Sequence, residues 1–203
     1  MKEVIKEVIA QEAQAIQNIP VEDGFIEAIA LIHKQVHVHN GKLVTSGMGK
    51  AGQIAANIAT TFSSTGTPAV FLHPSESQHG DLGIIQKNDV LLVISNSGKT
   101  REIIELIQLA KNLHSGLPLI VISSNPEGIL AKNADAFIYT GNPKEVCPLG
   151  LSPTTSTTVM TVIGDALVVS MMNKIDFTSE EYAKRHHGGY LGDKSRLQAK
   201  GKK

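Results

Sequence analysis

The sequence predicts an α/β protein: a single doubly wound domain in which a five-stranded, mainly parallel sheet lies between two layers of helices, a three-layer sandwich. Three observations carry this. Five short apolar runs alternate with stretches of helical periodicity, the order expected of parallel strands joined by crossover helices. Two of these runs end in small polar and glycine residues directly before a helical pattern, at Ser46-Gly47-Met48-Gly49-Lys50-Ala51-Gly52 and at Ser95-Asn96-Ser97-Gly98-Lys99-Thr100. With 203 residues, 41% of them hydrophobic, the chain is large enough to bury such a sheet without disulfides.

The opening segment is helical. Val4, Ile5, Val8, Ile9, Ala13 and Ile16 recur at helical spacing, and after Pro20 so do Phe25, Ile26, Ile29, Ile32 and Val36. From Lys42 the alternation begins, with a strand over Leu43–Thr45, a helix about Ala51–Phe62, and strands Ala69–Leu72 and Val90–Ser95. A helix over Arg101–Leu113, a strand Leu119–Ser123, a short helix opened by Pro126 and a strand Ala136–Thr140 follow. Thr154-Thr155-Ser156 introduces a long apolar helix, Ser156–Asn173, whose Val159, Val162, Ile163, Ala166, Leu167 and Val169 span more than one face. Such a helix belongs in a core or against another subunit. Thr178-Ser179-Glu180-Glu181 reads as a capping box that starts one more helix and delivers His186-His187-Gly188-Gly189. The domain then spans 1–192, with residues 1–40 packing on it as N-terminal helices, and 193–203 form a basic, flexible tail.

Composition narrows the function. Nineteen acidic and nineteen basic residues leave a net charge of +0, so no global field recruits nucleic acid or anionic lipid, and anion recognition has to be local. Cys147 is the single cysteine, which excludes an internal disulfide framework. Lys2-Glu3-Val4-Ile5-Lys6-Glu7 lacks the apolar core of a signal peptide, and no apolar run approaches the roughly 20 residues of a membrane helix. A cytoplasmic protein is expected.

The two polar turns form a cradle for an anion, most simply the phosphate of a small metabolite. Ser95, Ser97 and Thr100 offer hydroxyl donors, and the helix from Arg101 offers free amides and the positive end of its dipole. The blander alternative is that these hydroxyls only cap the helix. Two nucleotide motifs are imitated here. Gly47, Gly49 and Gly52 satisfy G-x-G-x-x-G, with Glu76 near the place of a ribose-binding acid, but Lys50 stands where a dinucleotide site needs only backbone amides. Ser97-Gly98-Lys99-Thr100 mimics the end of a Walker A loop, yet Val93 occupies the place of its first glycine.

His73, His79, His186, Glu102 and Glu145 all fall at strand ends or in turns, where a parallel sheet gathers its ligand-binding loops. Singly each has an ordinary surface role; together they supply acid–base groups. Zinc ligation by His73 and His79 lacks a completing set of cysteines or carboxylates. His37 and His39 read as surface residues, and Cys147 as a packed thiol.

Taken together the motifs resemble the sugar isomerase (SIS) domain, and within it the arabinose 5-phosphate isomerases of Kdo synthesis. The resemblance runs from Gly47 to about Gly192 through Gly47-Met48-Gly49-Lys50, Ser63-Ser64-Thr65-Gly66-Thr67-Pro68 and His79-Gly80-Asp81-Leu82-Gly83. It continues in Ser95-Asn96-Ser97-Gly98, in Cys147-Pro148-Leu149-Gly150-Leu151-Ser152-Pro153-Thr154 and in His186 with Gly188-Gly189. It implies a flavodoxin-like fold and interconversion of D-ribulose 5-phosphate and D-arabinose 5-phosphate, supplying Kdo and lipopolysaccharide. It further implies a homotetramer with shared active sites. Lys50, Glu102, Glu145 and His186 match catalytic positions; Ser46, Gly66, Thr67, His73, His79, Ser95, Ser97 and Thr100 match substrate-site positions. No cofactor is required, and His73 matches a position that takes inhibitory zinc. The sequence departs from the family at Lys99, commonly glutamate, and at His187, where proline is usual; the CBS pair that many relatives append is not seen. CMP-Kdo is then a candidate feedback ligand. The competing expectations are a noncatalytic phosphosugar sensor and an isomerase for another sugar phosphate such as a hexulose or sedoheptulose phosphate.

Overall fold

The computed structural model describes residues 1–200. Two helices, α1 (Lys2–Gln17) and α2 (Asp23–Ile32), lead through a π-helical turn at His33–Val38 into β1 (Leu43–Gly47). There follow α3 (Gly49–Ser64), β2 (Ala69–Phe71), β3 (Val90–Ile94), α4 (Arg101–Leu113), β4 (Leu119–Ser123), α5 (Ile129–Lys132) and β5 (Ala136–Tyr139). Three helices close the described chain: α6 (Thr155–Lys174), α7 (Ser179–Arg185) and α8 (Gly189–Lys200).

The sheet order is β2-β1-β3-β4-β5 and every pair is parallel, so "mainly parallel" becomes wholly parallel. The strands read as unbroken apolar runs because both faces are covered. In β3, Val90, Leu92 and Ile94 face the core built with α2, α3 and α6, while Leu91 and Val93 face the core built with α4. β4 divides the same way, Ile120 and Ile122 against Leu119 and Val121. Burial of each such Leu or Ile contributes about 1.5–3 kcal/mol. The winding reverses between β1 and β3, and loops leaving two strands at such a point diverge to leave a crevice at the carboxyl edge of the sheet.

Three expectations need correction. The second helix ends at Ile32, and Val36 is carried by the π-helical turn, which also brings His37 inward. The helix α6, twenty residues long, reaches a mean hydropathy of 1.4, so one run does attain membrane-spanning length; half of that window is buried in the fold, with Val159, Ile163 and Leu167 at 0–1% exposure. Residues 193–200 are not a flexible tail but the body of α8, which crosses the expected boundary at 192; residues 201–203 lie outside the described residues. α8 rests on α7 through small residues, Gly192 and Ser195, a packing that a search for large apolar side chains overlooks. A Cβ on Gly192 would sit 2.5 Å from the His186 carbonyl oxygen.

Candidate active site

The turn after β1 brings backbone against backbone. A side chain at Gly52 would place Cβ 2.5 Å from the Gly47 oxygen, which is why this corner is built of glycine. α3 begins there without a side-chain cap, and exposed Lys50 projects from its first turn.

Across the crevice, the loop after β3 is braced by the loop after β4. Asn125 Nδ2 donates to the Ser97 carbonyl at 2.9 Å and Ser124 Oγ to the Asn96 carbonyl at 2.6 Å, while Gly98 takes a left-handed φ of 63°. Thr100 occupies the N-cap position of α4 but does not cap it: its hydroxyl pairs with Ser95 Oγ at 2.8 Å. The capping alternative therefore fails, and the first amides of α4 stay open, a ready anion site.

Between these turns lies a cavity of about 270 Å³ lined by Met48, Lys50, Ser95, Ser97, Thr100 and, from the start of α6, Pro153, Ser156 and Thr157. Three helix N-termini thus converge on it, and two are uncapped. The third is closed by Glu145, whose Oε2 accepts from Thr154 N at 2.7 Å, Thr154 Oγ1 at 2.9 Å and Ser156 N at 3.3 Å. Burial alone would push the Glu145 carboxyl up, but the hydrogen bonds from Ser156 and Thr154 outweigh it and hold the pKa below the usual carboxylate value. Glu102 lies in the first turn of α4, with no hydrogen-bond partner among the described residues.

The remaining candidates divide. Ser46 is fully buried and spends its hydroxyl on the Leu72 carbonyl at 2.6 Å; it joins β1 to β2 and presents no donor to the cavity. His73 follows β2 at the same carboxyl edge, its ring edge-on to Phe71, with a buried Nδ1 that has no partner among the described residues. His79 is exposed in the turn beyond it. No group of three or more His, Cys, Asp and Glu side chains is assembled for a metal among the described residues.

Gly66 and Thr67 precede β2 and so stand at the amino edge of the sheet, opposite the cavity. α6 carries the chain to that same edge over about 30 Å, twenty residues at 1.5 Å each. Phe177 there lies against Gly66, where a Cβ would come within 2.8 Å of its ring, and Tyr182 packs edge-on to Phe177. His186 stacks on Tyr182 at 3.7 Å, and its Nδ1 lies 3.0 Å from the Tyr182 carbonyl. Because a carbonyl only accepts, Nδ1 carries the proton and the neutral ring keeps its lone pair on Nε2. One chain therefore brings Lys50, Ser95, Ser97, Thr100 and Glu145 to one edge, and Gly66, Thr67 and His186 to the other.

Sequence reasoning missed several residues. Asn125 shapes the loop after β3 from a different turn, and Ser156 and Thr157 line the cavity; the run of hydroxyls at Thr154-Thr155-Ser156-Thr157 was the available signal for the latter pair. His37, expected at the surface, is half-buried with Nε2 3.0 Å from the Oγ1 of Thr67, itself 1% exposed.

A wholly parallel sheet with an open crevice lined by helix N-termini at its reversal point defines a doubly wound α/β domain. The SIS domain matches residues 38–170, and the chain belongs to that family. It is 45% identical over 190 residues, 93% of its length, to the arabinose 5-phosphate isomerase KdsD of Escherichia coli K12, and spans about half (56%) of that relative. A Bacteroides fragilis protein described as a phosphosugar isomerase involved in capsule formation is 66% identical, with a TM-score of 0.92 over 94% of this chain and 99% of its own. The E. coli CFT073 protein c3406, solved in complex with arabinose 5-phosphate, is 36% identical, with a TM-score of 0.81 over 91% of this chain and 96% of its own.

Proposed function

We propose that the chain is an aldose–ketose isomerase that interconverts D-ribulose 5-phosphate and D-arabinose 5-phosphate through an enediolate, in the cytoplasm, supplying Kdo and lipopolysaccharide synthesis. The observation that carries this is the uncapped N-terminus of α4: Thr100 pairs with Ser95 and leaves amides open to a cavity that also holds Lys50. That is a phosphate grip beside a cation, and the resemblance to KdsD enzymes and to the sugar-phosphate complex of c3406 supports arabinose 5-phosphate as the sugar.

On this reading Ser95, Ser97, Thr100 and the α4 amides hold the phosphate, with Gly66, Thr67, His73 and His79 as further substrate contacts. The reaction moves a proton between C1 and C2 and needs a base, an acid and a stabiliser of the enediolate oxygens. Lys50 stabilises the developing charge. Glu145, held ionised by the α6 amides, is a weak base and suits orientation and electrostatics, whereas Glu102, free of hydrogen bonds, suits proton transfer. His186, with its Nε2 lone pair, opens the ring or shuttles the proton. His186 stands at the opposite edge of the sheet, which supports a site completed by a second copy; the assembly we propose is a homotetramer with shared sites. CMP-Kdo, an acidic sugar nucleotide, suits the same positive crevice as a feedback ligand, and titrating the activity with it tests that extension. The primary experiment incubates the purified protein with ribulose 5-phosphate and assays arabinose 5-phosphate. Product supports the reading; product only from another ketose phosphate, or from none of a panel, replaces it with a different isomerase or with a sensor.

A further inference from the structure

The N-terminal helix α1, which lies outside the segment matched by the SIS family, reaches the loop that carries Glu145. Thr155, 1% exposed at the first turn of α6, donates its hydroxyl to Glu12 Oε1 at 3.1 Å and accepts the Val146 amide at 3.2 Å. Val146 is flanked by Glu145 and Cys147, and the neighbours of Thr155, Thr154 and Ser156, are the donors to Glu145. The other Glu12 oxygen is buried and has no partner among the described residues, where this side chain is held by its one bond to Thr155. The buried Thr155 hydroxyl thus links the Glu12 acceptor to the Val146 amide in one short hydrogen-bonded chain.

We propose that Glu12 is a positioning residue: through Thr155 it locks the loop 145–154 and thereby fixes the Glu145 carboxylate at the start of α6. The role in turnover rests on the isomerase reading; the lock itself does not. Neither Glu12 nor Thr155 lines the cavity, and the link from Glu12 to the loop runs through Thr155 to Val146. Removing it releases Thr155 Oγ1 to rotate, frees Val146 and loosens the turn closed by the bond from Gly150 N to the Cys147 oxygen at 2.8 Å.

Cys147, the single thiol, is a built-in reporter. Amides of Ser152 and Leu151, with Leu149, hold its pKa down to about 7 from an ordinary 9.0, an arrangement that exists only while the loop keeps its shape. The experiment measures thiolate absorbance against pH, together with kcat and KM, for the full chain and for Glu12→Ala, Glu12→Gln, Thr155→Val and the double variant Glu12→Ala/Thr155→Val. Glu12→Ala is expected to move the thiol midpoint upward toward 9.0 and to lower kcat about tenfold or more with little change in KM, the scale of a misplaced group. Glu12→Gln keeps a carbonyl for the Thr155 hydroxyl and should restore both, and the double variant should match either single one because they act through one bond. A thiol midpoint unmoved in folded Glu12→Ala and Thr155→Val, or additive effects, overturns the proposal. If the wild-type chain shows no isomerisation while the thiol midpoints shift as stated, the lock stands and the isomerase reading falls.

Discussion

Glu145 offers the sharpest test of the site, because one oxygen carries three hydrogen bonds at the N-terminus of α6. Replacing it with alanine removes the acceptor of two orphan amides, a capping loss of about 0.5–2 kcal/mol, and a carboxylate at the positive end of a helix, about 0.3–2 kcal/mol. Partial contact with solvent keeps both contributions in the lower half of those ranges, so Glu145→Ala should cost about 2 kcal/mol. Glu145→Gln keeps an acceptor and loses the charge, for about 1 kcal/mol; in a domain of this size that lowers Tm by about 2–4 °C. The pH dependence has a definite sign. The folded pKa lies below the ordinary 4.5, so the charge contributes its full stabilisation above 4.5 and loses it as the pH falls through the folded value. Urea melts of wild type and Glu145→Gln, at one protein concentration, should differ by about 1 kcal/mol at neutral pH and converge as the pH falls through the folded pKa of Glu145, below 4.5. A gap that persists unchanged in acid, or an alanine variant as stable as wild type, would refute the assignment of Glu145 as an ionised cap.

The remaining expectations concern the cradle and the opposite edge. Lys50→Met should lower kcat about a hundredfold while inorganic phosphate still binds; an undiminished kcat removes Lys50 from the chemistry. At Gly98, with φ 63° and a Cβ that would lie 3.1 Å from Ser123 Oγ, alanine should weaken phosphate binding about tenfold by calorimetry, and unchanged affinity would show that the loop's shape is not needed. His37 is held below 6.5, first by burial and then by neighbouring His33, so its neutral form stabilises the fold fully above 6.5 and that contribution is lost as the pH falls through the folded value. Between pH 7 and 5 the wild type should therefore lose more stability than His37→Gln; parallel pH curves would contradict the buried, uncharged ring.

The most local signals were the most legible. α4 and β4 fall where the sequence places them, Arg101–Leu113 and Leu119–Ser123, because an amphipathic helix bounded by Thr100 and an apolar β-branched run leave little choice. The polar turn after β3 was legible from its density of hydroxyls. Its decisive feature was not: that Thr100 Oγ1 turns to Ser95, five residues away, and not to the helix it precedes is a tertiary outcome. Ser46 shows the converse, a small hydroxyl in a glycine turn that the sheet consumes for the Leu72 carbonyl. α8 escaped notice because it packs by glycine and serine, and the Glu12–Thr155 bond spans 143 positions, beyond any periodicity.

The convergence of three helix N-termini would by itself hold an anion with little preference for its orientation. Two are open, at α3 and α4, and the third is already filled by Glu145. On the proposed reading a phosphate is thereby drawn toward the loop after β3 and away from α6, where it would meet a carboxylate. The sugar's other end is then directed toward Pro153, Ser156 and Thr157, the side of the cavity next to the Glu145 loop. Capping one helix and leaving two bare turns a symmetric attraction into a polarity, and on the proposed isomerase reading that polarity sets which end of a phosphosugar is held and which is presented for proton transfer. With Glu145 neutral, the start of α6 no longer repels an anion, so Glu145→Gln should bind inorganic phosphate more tightly than wild type while losing turnover. Weaker phosphate binding in that variant would mean that the carboxylate does not exclude the anion from α6.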